Sequence, residues 1–181
     1  MQSYAYVYCV ACSAGSEATL TSDLKRKLPQ AEVLYPTFDR EELKNGTWST
    51  KTRPLIPGYV FVYADVPVAP EEFYRCERVT RLLGYAEQVH SEYALNGEDL
   101  DFARWILTHQ GHIGVSRAML VGDKTQIIDG PLKRYEGEIR KIDRRRRSAL
   151  VAVSVGKMSK NVWLSFHWMT LKDGVLVDWE R

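Results

Sequence analysis

The chain has 181 residues, 45% apolar and 27% charged, the balance of an ordinary globular protein and far from collagen, mucin or a disordered tail. At about 150 residues per domain it holds one middling domain or two small ones. Three cysteines cannot form a disulfide framework and an odd number suits a reducing compartment, while a net charge of +2 excludes nothing.

Met1 to Tyr8 carries neither a basic n-region nor a long apolar h-region, and no run of about 18 apolar residues follows, which points to a cytoplasmic protein without a membrane span. Tyr4 to Cys12, YAYVYCVAC, is aromatic and β-branched with no breaker and predicts a strand buried on nearly both faces. After Gly15, apolar Leu20, Leu24 and Leu28 recur every fourth residue behind a Ser16 N-cap, with Lys25 to Lys27 in the last turn and Pro29 as the stop, which predicts an amphipathic helix. Glu32 to Phe38 and Tyr59 to Tyr63 predict two strands joined by a long exposed polar arm, with Asn45-Gly46 as a turn. Pro70 opens a short helix on which Phe73 and Cys76 share a face, Arg81 to Tyr85 predicts a last strand, and Asn96 caps a helix through Leu100, Ala103 and Leu107 before Gly111 and Gly114 loosen the chain. This order predicts an α+β layer with a mostly antiparallel sheet flanked by helices.

The small net charge hides a division near Thr108. Residues 1–108 carry eleven Lys or Arg against fifteen Asp or Glu, net −4, and residues 109–181 carry fourteen against eight, net +6. A basic module joined to an acidic one is the asymmetry expected when one of them meets a polyanion. Beyond Gly114 the chain predicts short strands at Thr125 to Ile128, Glu138 to Ile142, Ala149 to Val155 and Val162 to Phe166, a pattern that fits a small barrel. Trp163, Phe166 and Trp168 are expected to fill or cover it, and Lys172 to Arg181 to add a hairpin or pack across its end.

Two motifs carry a resemblance. Val121 to Asp143, VGDKTQIIDGPLKRYEGEIRKID, resembles a KOW motif, which implies an SH3-like β-barrel. Arg53 to Val62, RPLIPGYVFV, with Tyr8 on the opening strand, the Gly15 turn and Val79 to Gly84, resembles the NusG N-terminal (NGN) domain. The two cover nearly the whole chain in the order of the NusG family of transcription factors. The implied division is an NGN domain at 1–108, a linker at 109–118 and a KOW barrel at 119–181.

The resemblance implies a monomeric factor that rides on elongating RNA polymerase. Tyr8, Leu55, Ile56 and Tyr59 match positions that form an apolar patch on the clamp helices of the largest subunit. Tyr74, Arg75 and Arg78 match positions that face the second polymerase arm and the non-template DNA strand. For the basic half, Arg144, Arg145, Arg146 and Arg147 share one turn between strands, where guanidinium groups repel unless anions are near and can fork onto phosphates. With Lys133, Arg134, Arg140 and Lys141 close by, and Tyr135 as a stacking face, these residues predict contact with nascent RNA. The arginine turn with GPLK and KIDRR resembles specialised paralogues of the LoaP type, which implies antitermination on long operons. Val155-Gly156 stands where general members have an aromatic residue before the glycine, so the resemblance does not extend to contact with Rho or the ribosome. The alternative is a KOW-type RNA-binding protein of the ribosome or its assembly.

No catalytic site, cofactor or metal is expected. Cys9 and Cys12 sit three apart on a strand, pointing to opposite faces without a second pair, and His109 and His112 lack acidic or thiolate company in sequence. Phosphate-loop, nucleophile-elbow and HExxH spellings are missing from the chain.

Overall fold

The computed structural model describes residues 4–85 and 93–179. In chain order the elements are β1 (Tyr6–Ala11), α1 (Glu17–Lys27), β2 (Glu32–Leu34), β3 (Thr37–Lys44), β4 (Thr47–Pro54), β5 (Tyr59–Ala64), α2 (Pro70–Tyr74), β6 (Arg81–Leu82) and α3 (Gly97–Thr108). They continue with β7 (His112–Ile113), β8 (Ser116–Val121), β9 (Lys124–Asp129), a 3₁₀ helix (Pro131–Glu138), β10 (Lys141–Asp143), β11 (Ser148–Val155), β12 (Met158–Lys172) and β13 (Val175–Asp178). The chain makes two compact units, one of Met1–Thr37, Pro54–Gly111 and Ser154–Met158, the other of Phe38–Arg53, His112–Val153 and Ser159–Arg181.

The first unit is built on a four-stranded sheet in the order β2-β5-β1-β6, with every pair antiparallel. Side chains alternate across a strand, so each residue row faces one side. Tyr8, Val10, Val60, Val62 and Leu82 lie in the core cluster with Leu20, Leu24 and Leu28 of α1 and Phe73 of α2. The intervening residues face α3: the Phe61 and Phe102 rings are 6.1 Å apart, and the Tyr63 hydroxyl donates to the Ala103 carbonyl at 2.8 Å. Burial on both faces explains why β1 and β5 read as continuous apolar runs.

Two expectations shift here. The buried stripe of α3 is Phe102, Ala103, Trp105 and Ile106, whereas Leu100 and Leu107 are only half-buried. Rings offer more area to bury than leucines, and turning them inward sets the helix rotation. The strand expected over 81–85 is only two residues long, although the Leu83 N–H still donates to the Cys9 carbonyl.

In the second unit the exposed arm is itself a hairpin, β3 and β4 closed by Asn45-Gly46. The β7 strand joins its far side, giving the order β4-β3-β7. Gly111 and Gly114 thus bracket a short strand, and the stretch expected as a linker, 109–118, also contains the start of β8. The remaining strands run β10-β11-β12-β8-β9, with β13 on β12. The fifteen-residue β12 serves several partners along its length, β8 in parallel at Phe166–Trp168 and β13 antiparallel at Met169–Lys172. Ala149, Val151 and Val153 of β11 and Val162, Leu164 and Phe166 of β12 bury their side chains.

The Asp129-Gly130-Pro131 turn is fixed by Gly130. Its φ of +95° suits glycine, and a Cβ there would lie 2.7 Å from the Ser116 Cα. The segment after it is helical where the sequence predicts entry to a strand at Glu138, because Pro131 presets the first helical φ and Leu132 and Tyr135 bury together three residues apart. The strand itself is confined to Lys141–Asp143.

Candidate binding surfaces

The PGY turn before β5 is held by a buried acid. Glu17, only 3% exposed, accepts the Gly15 N–H at 2.8 Å and the Gly58 N–H at 2.6 Å. The Gly58 carbonyl in turn accepts the Cys12 N–H at 2.8 Å. Gly58 has φ +84° and a Cβ there would meet the Cys12 oxygen at 2.9 Å, so the turn admits glycine alone without strain. Glu17 reads in the sequence only as a first-turn acid on α1.

The expected apolar patch does not form an open surface. Tyr8, Leu55 and Ile56 are 4%, 0% and 1% exposed, and of the four residues only Tyr59 remains half-exposed. Tyr8 packs its ring on Phe73, centroids 5.2 Å apart, and its hydroxyl accepts the Val68 N–H at 3.0 Å. The physical reason is register: Tyr8 pairs with Val62, and Tyr59 with Ala11, so the two tyrosines stand on opposite faces of the sheet. Tyr59 shares its cross-sheet row with Ala11 and exposed Arg81.

Tyr74, Arg75 and Arg78 are accessible. The Tyr74 side chain is half outside, and its hydroxyl accepts the Leu82 N–H at 3.2 Å. Arg75 pairs with Glu72 at 2.5 Å and Arg78 with Asp23 at 3.5 Å, both in exposed geometry where ion pairs hold weakly. Through Leu82, the ring of Tyr74 is tied to the β6 edge next to Arg81, which closes the row containing Tyr59.

Of the basic residues, the four arginines stand on the β10–β11 turn. Its backbone is pinned: the Arg147 carbonyl accepts the Phe166 N–H at 2.8 Å, and Asp143 accepts the Arg146 N–H at 2.8 Å. The Arg144 guanidinium donates to Thr125 Oγ1 at 3.2 Å and to the Asp123 carbonyl. Arg147 lies 4.6 Å from the Trp48 ring centroid, a cation–π distance. Arg146 stands 3.8 Å from Asp143, and Arg145 has neither ion pair nor hydrogen bond among the described residues. Arg140 donates to Asn161 at 3.0 Å, Lys133 to the Ile127 carbonyl at 2.9 Å and to Glu136 at 2.6 Å, and Lys141 is exposed.

Tyr135 is not a stacking face. It is 5% exposed, with Arg134 over its ring at 5.9 Å, and burial pushes its hydroxyl pKa up to about 12. The aromatic beside the arginines is instead Trp48, half-buried on the β3–β4 arm with Arg147 over its ring. From Asp39 to Arg53 the arm is polar and charged apart from Leu43 and Trp48, and that mismatch was the available sequence signal.

Cys9 and Cys12 are both buried, and burial raises both thiols above the ordinary range, with Asp99 adding to the effect at Cys9 and Glu17 at Cys12. His109 Nδ1 lies 2.8 Å from the Trp105 carbonyl, and His112 Nε2 lies 3.0 Å from Asp39. Among the described residues no three His, Cys, Asp or Glu side chains gather as a metal site, and no helix is long and apolar enough to cross a membrane.

Comparison with known proteins gives one family. The sequence model described as transcription termination factor nusG matches residues 6–100, more than half the chain. The protein of Rickettsia typhi named transcription termination/antitermination protein NusG is 21% identical over 174 residues, covering 92% of this chain and 90% of that one. The protein of the same name from Treponema pallidum is 28% identical over 132 residues, 68% of this chain and 71% of that one. A solved structure described as domain interaction in Thermotoga maritima NusG covers 88% of this chain and 93% of its own at 22% identity and a TM-score of 0.47. The acidic α+β module with its PGY turn, matched over residues 6–100, makes this chain a member of the NusG family.

Proposed function

We propose that this chain acts on elongating RNA polymerase, promoting processive elongation and antitermination of long operons while its basic β-domain contacts the nascent RNA. Curated relatives along nearly the whole chain are named transcription termination/antitermination proteins, and the reading places the protein in the cytoplasm as a non-enzymatic, monomeric factor. The observation that carries the finer reading is the exposed turn Arg144 to Arg147, pinned through its backbone while Arg145 and Arg146 project into solvent. Such a turn suits phosphate binding.

On the polymerase side the attachment is through Tyr59 and Arg81 at one end of the sheet, with Tyr74, Arg75 and Arg78 beside the same edge strand. Tyr8, Leu55 and Ile56 act from beneath by holding the shape of that surface. Aromatic and arginine side chains are the usual anchors of protein interfaces. Residues 1–108 would form the docking module and residues 119–181 the RNA-binding one.

Transcription by purified polymerase through an intrinsic terminator, with and without the protein and its leader RNA, tests the reading. Increased read-through that requires the leader is the expected result; read-through unchanged by the protein would reject it.

A further inference from the structure

In the second unit the β12–β13 hairpin leaves a sheet edge open. Asp173 and Gly174, both at positive φ, make its turn. Lys172 pairs with Val175, Leu171 with Leu176, Thr170 with Val177 and Met169 with Asp178, and one position further the Trp179 N–H donates to the Trp168 carbonyl at 2.8 Å. Bonded and unbonded pairs alternate along an antiparallel ladder. Val175, Val177 and Trp179 therefore turn their backbone polar groups towards β12, and Leu176 and Asp178 turn theirs outwards. Among the described residues β13 pairs with β12 alone, which leaves those outward groups without a neighbouring strand.

Sheets usually guard such an edge with lysine, proline, a bulge or a covering element. Val175-Leu176-Val177-Asp178 contains neither lysine nor proline, and its register is unbroken. Leu171 and Leu176 are 59% and 39% exposed and share one face as direct cross-strand partners. A strand added beside β13 sets its residue opposite Leu176 into the same apolar row. The far end of the edge is cationic. The Phe166 N–H donates to the Arg147 carbonyl, on the same flank of β12 as the Trp168–Trp179 bond because Phe166 and Trp168 are two residues apart. The Trp168 indole N–H donates to the Arg144 carbonyl at 3.4 Å. β13 and the arginine turn thus lie end to end along β12, and a strand extended past Trp179 leads towards Arg145 and Arg146.

We propose that the β13 edge binds an extended segment of another protein by strand addition, antiparallel to β13, with β-branched residues continuing the Leu171–Leu176 row and acidic residues at its N-terminal end on Arg145 and Arg146. In this mode main-chain bonds supply affinity and side chains supply specificity. Antiparallel pairing is the more stable per residue. Since β13 runs towards the arginine turn, an antiparallel segment enters from that turn, where carboxylates meet guanidinium forks. The contact does not depend on the RNA reading, although both occupants use the same two arginines and exclude one another there.

The experiment titrates the full chain, by fluorescence anisotropy, with a labelled peptide of three glutamates followed by alternating valine and threonine, and with a control peptide carrying lysines in place of the glutamates. The glutamate peptide is expected to bind at least about tenfold more tightly, and Arg145→Ala combined with Arg146→Ala to remove that difference. Leu176→Pro deletes an outward N–H without touching the β12 ladder, and Leu171→Lys puts a charge into the apolar row while sparing the backbone. Each is expected to weaken the glutamate peptide about tenfold, the factor that one ladder bond supplies, and Leu171→Lys to leave the melting temperature unchanged. Equal binding of the two peptides, or binding by the glutamate peptide that survives Leu171→Lys, overturns the assignment. A concentration-dependent dimer of the chain alone that Leu171→Lys abolishes makes a second copy the occupant and overturns it as well. So does a uridine heptamer that loses as much affinity as the peptide in folded Leu176→Pro, since the edge then belongs to RNA.

Discussion

Glu17 reaches across 41 positions of sequence to accept the Gly58 N–H at 2.6 Å, and its other oxygen takes Gly15. One buried carboxylate thus fixes both the turn into α1 and the turn into β5. Its replacement by alanine orphans two backbone donors, one of them at a buried contact. Hydrogen bonds to charged groups contribute about 1.5–3 kcal/mol each, so Glu17→Ala is expected to lower unfolding free energy by about 3 kcal/mol, read as a shift in urea midpoint at unchanged slope.

Gly58→Ala addresses the same turn through sterics. A methyl group 2.9 Å from the Cys12 oxygen at φ +84° forces the turn to open. A loss of about 1–3 kcal/mol is expected, and because Tyr59 follows directly, polymerase retention should fall with it. Normal stability and normal retention in this variant would show that the turn tolerates a side chain.

Tyr8 and Tyr59 are separable by experiment because the sheet lies between them. Tyr8→Ala empties a core site and is expected to cost about 3–5 kcal/mol, while Tyr8→Phe, which strands only the Val68 N–H, costs about 1–3 kcal/mol. Tyr59→Glu and Tyr74→Glu are expected to leave the melting temperature within a few degrees and to reduce co-purification with core RNA polymerase at least about tenfold. Full retention of both glutamate variants would remove this surface from the docking reading.

RNA affinity should fall with salt. The slope of log affinity against log salt is expected to drop by about 0.7 for each phosphate contact removed. Arg145→Ala and Arg146→Ala should each show that full step. Arg144→Ala should lose stability as well, since Arg144 also bonds Thr125 and the Asp123 carbonyl. An unchanged slope in all three variants would assign the turn to solubility.

Burial holds the Tyr135 hydroxyl up to about 12, against 10.0 in the unfolded chain. The native state therefore keeps its proton where the unfolded state has lost it. Stability from this residue is fully present below pH 10 and is lost as pH rises from 10 towards about 12. Urea titrations at pH 9 and pH 11 should show a larger loss for the native chain than for Tyr135→Phe; equal losses would place this hydroxyl in contact with solvent.

What the sequence determined by itself was whatever depends on neighbours in the chain. The Leu20, Leu24 and Leu28 spacing specifies α1, the Asn45-Gly46 pair specifies a turn, and unbroken apolar runs specify β1 and β5, because these follow from local backbone preferences and from the period with which side chains recur. The family resemblance was legible for the same reason, since PGY and DGP are short glycine-dependent turns. The tertiary structure alone decided which side of the sheet each tyrosine occupies, how α3 is rotated, that Tyr135 is enclosed while Trp48 stays half-exposed, and that Glu41 buries one carboxylate oxygen without a hydrogen-bond partner. Those outcomes depend on register and on packing between residues distant in sequence. A shift of one residue in pairing reverses every side chain on a strand, and no local pattern records which partner will arrive.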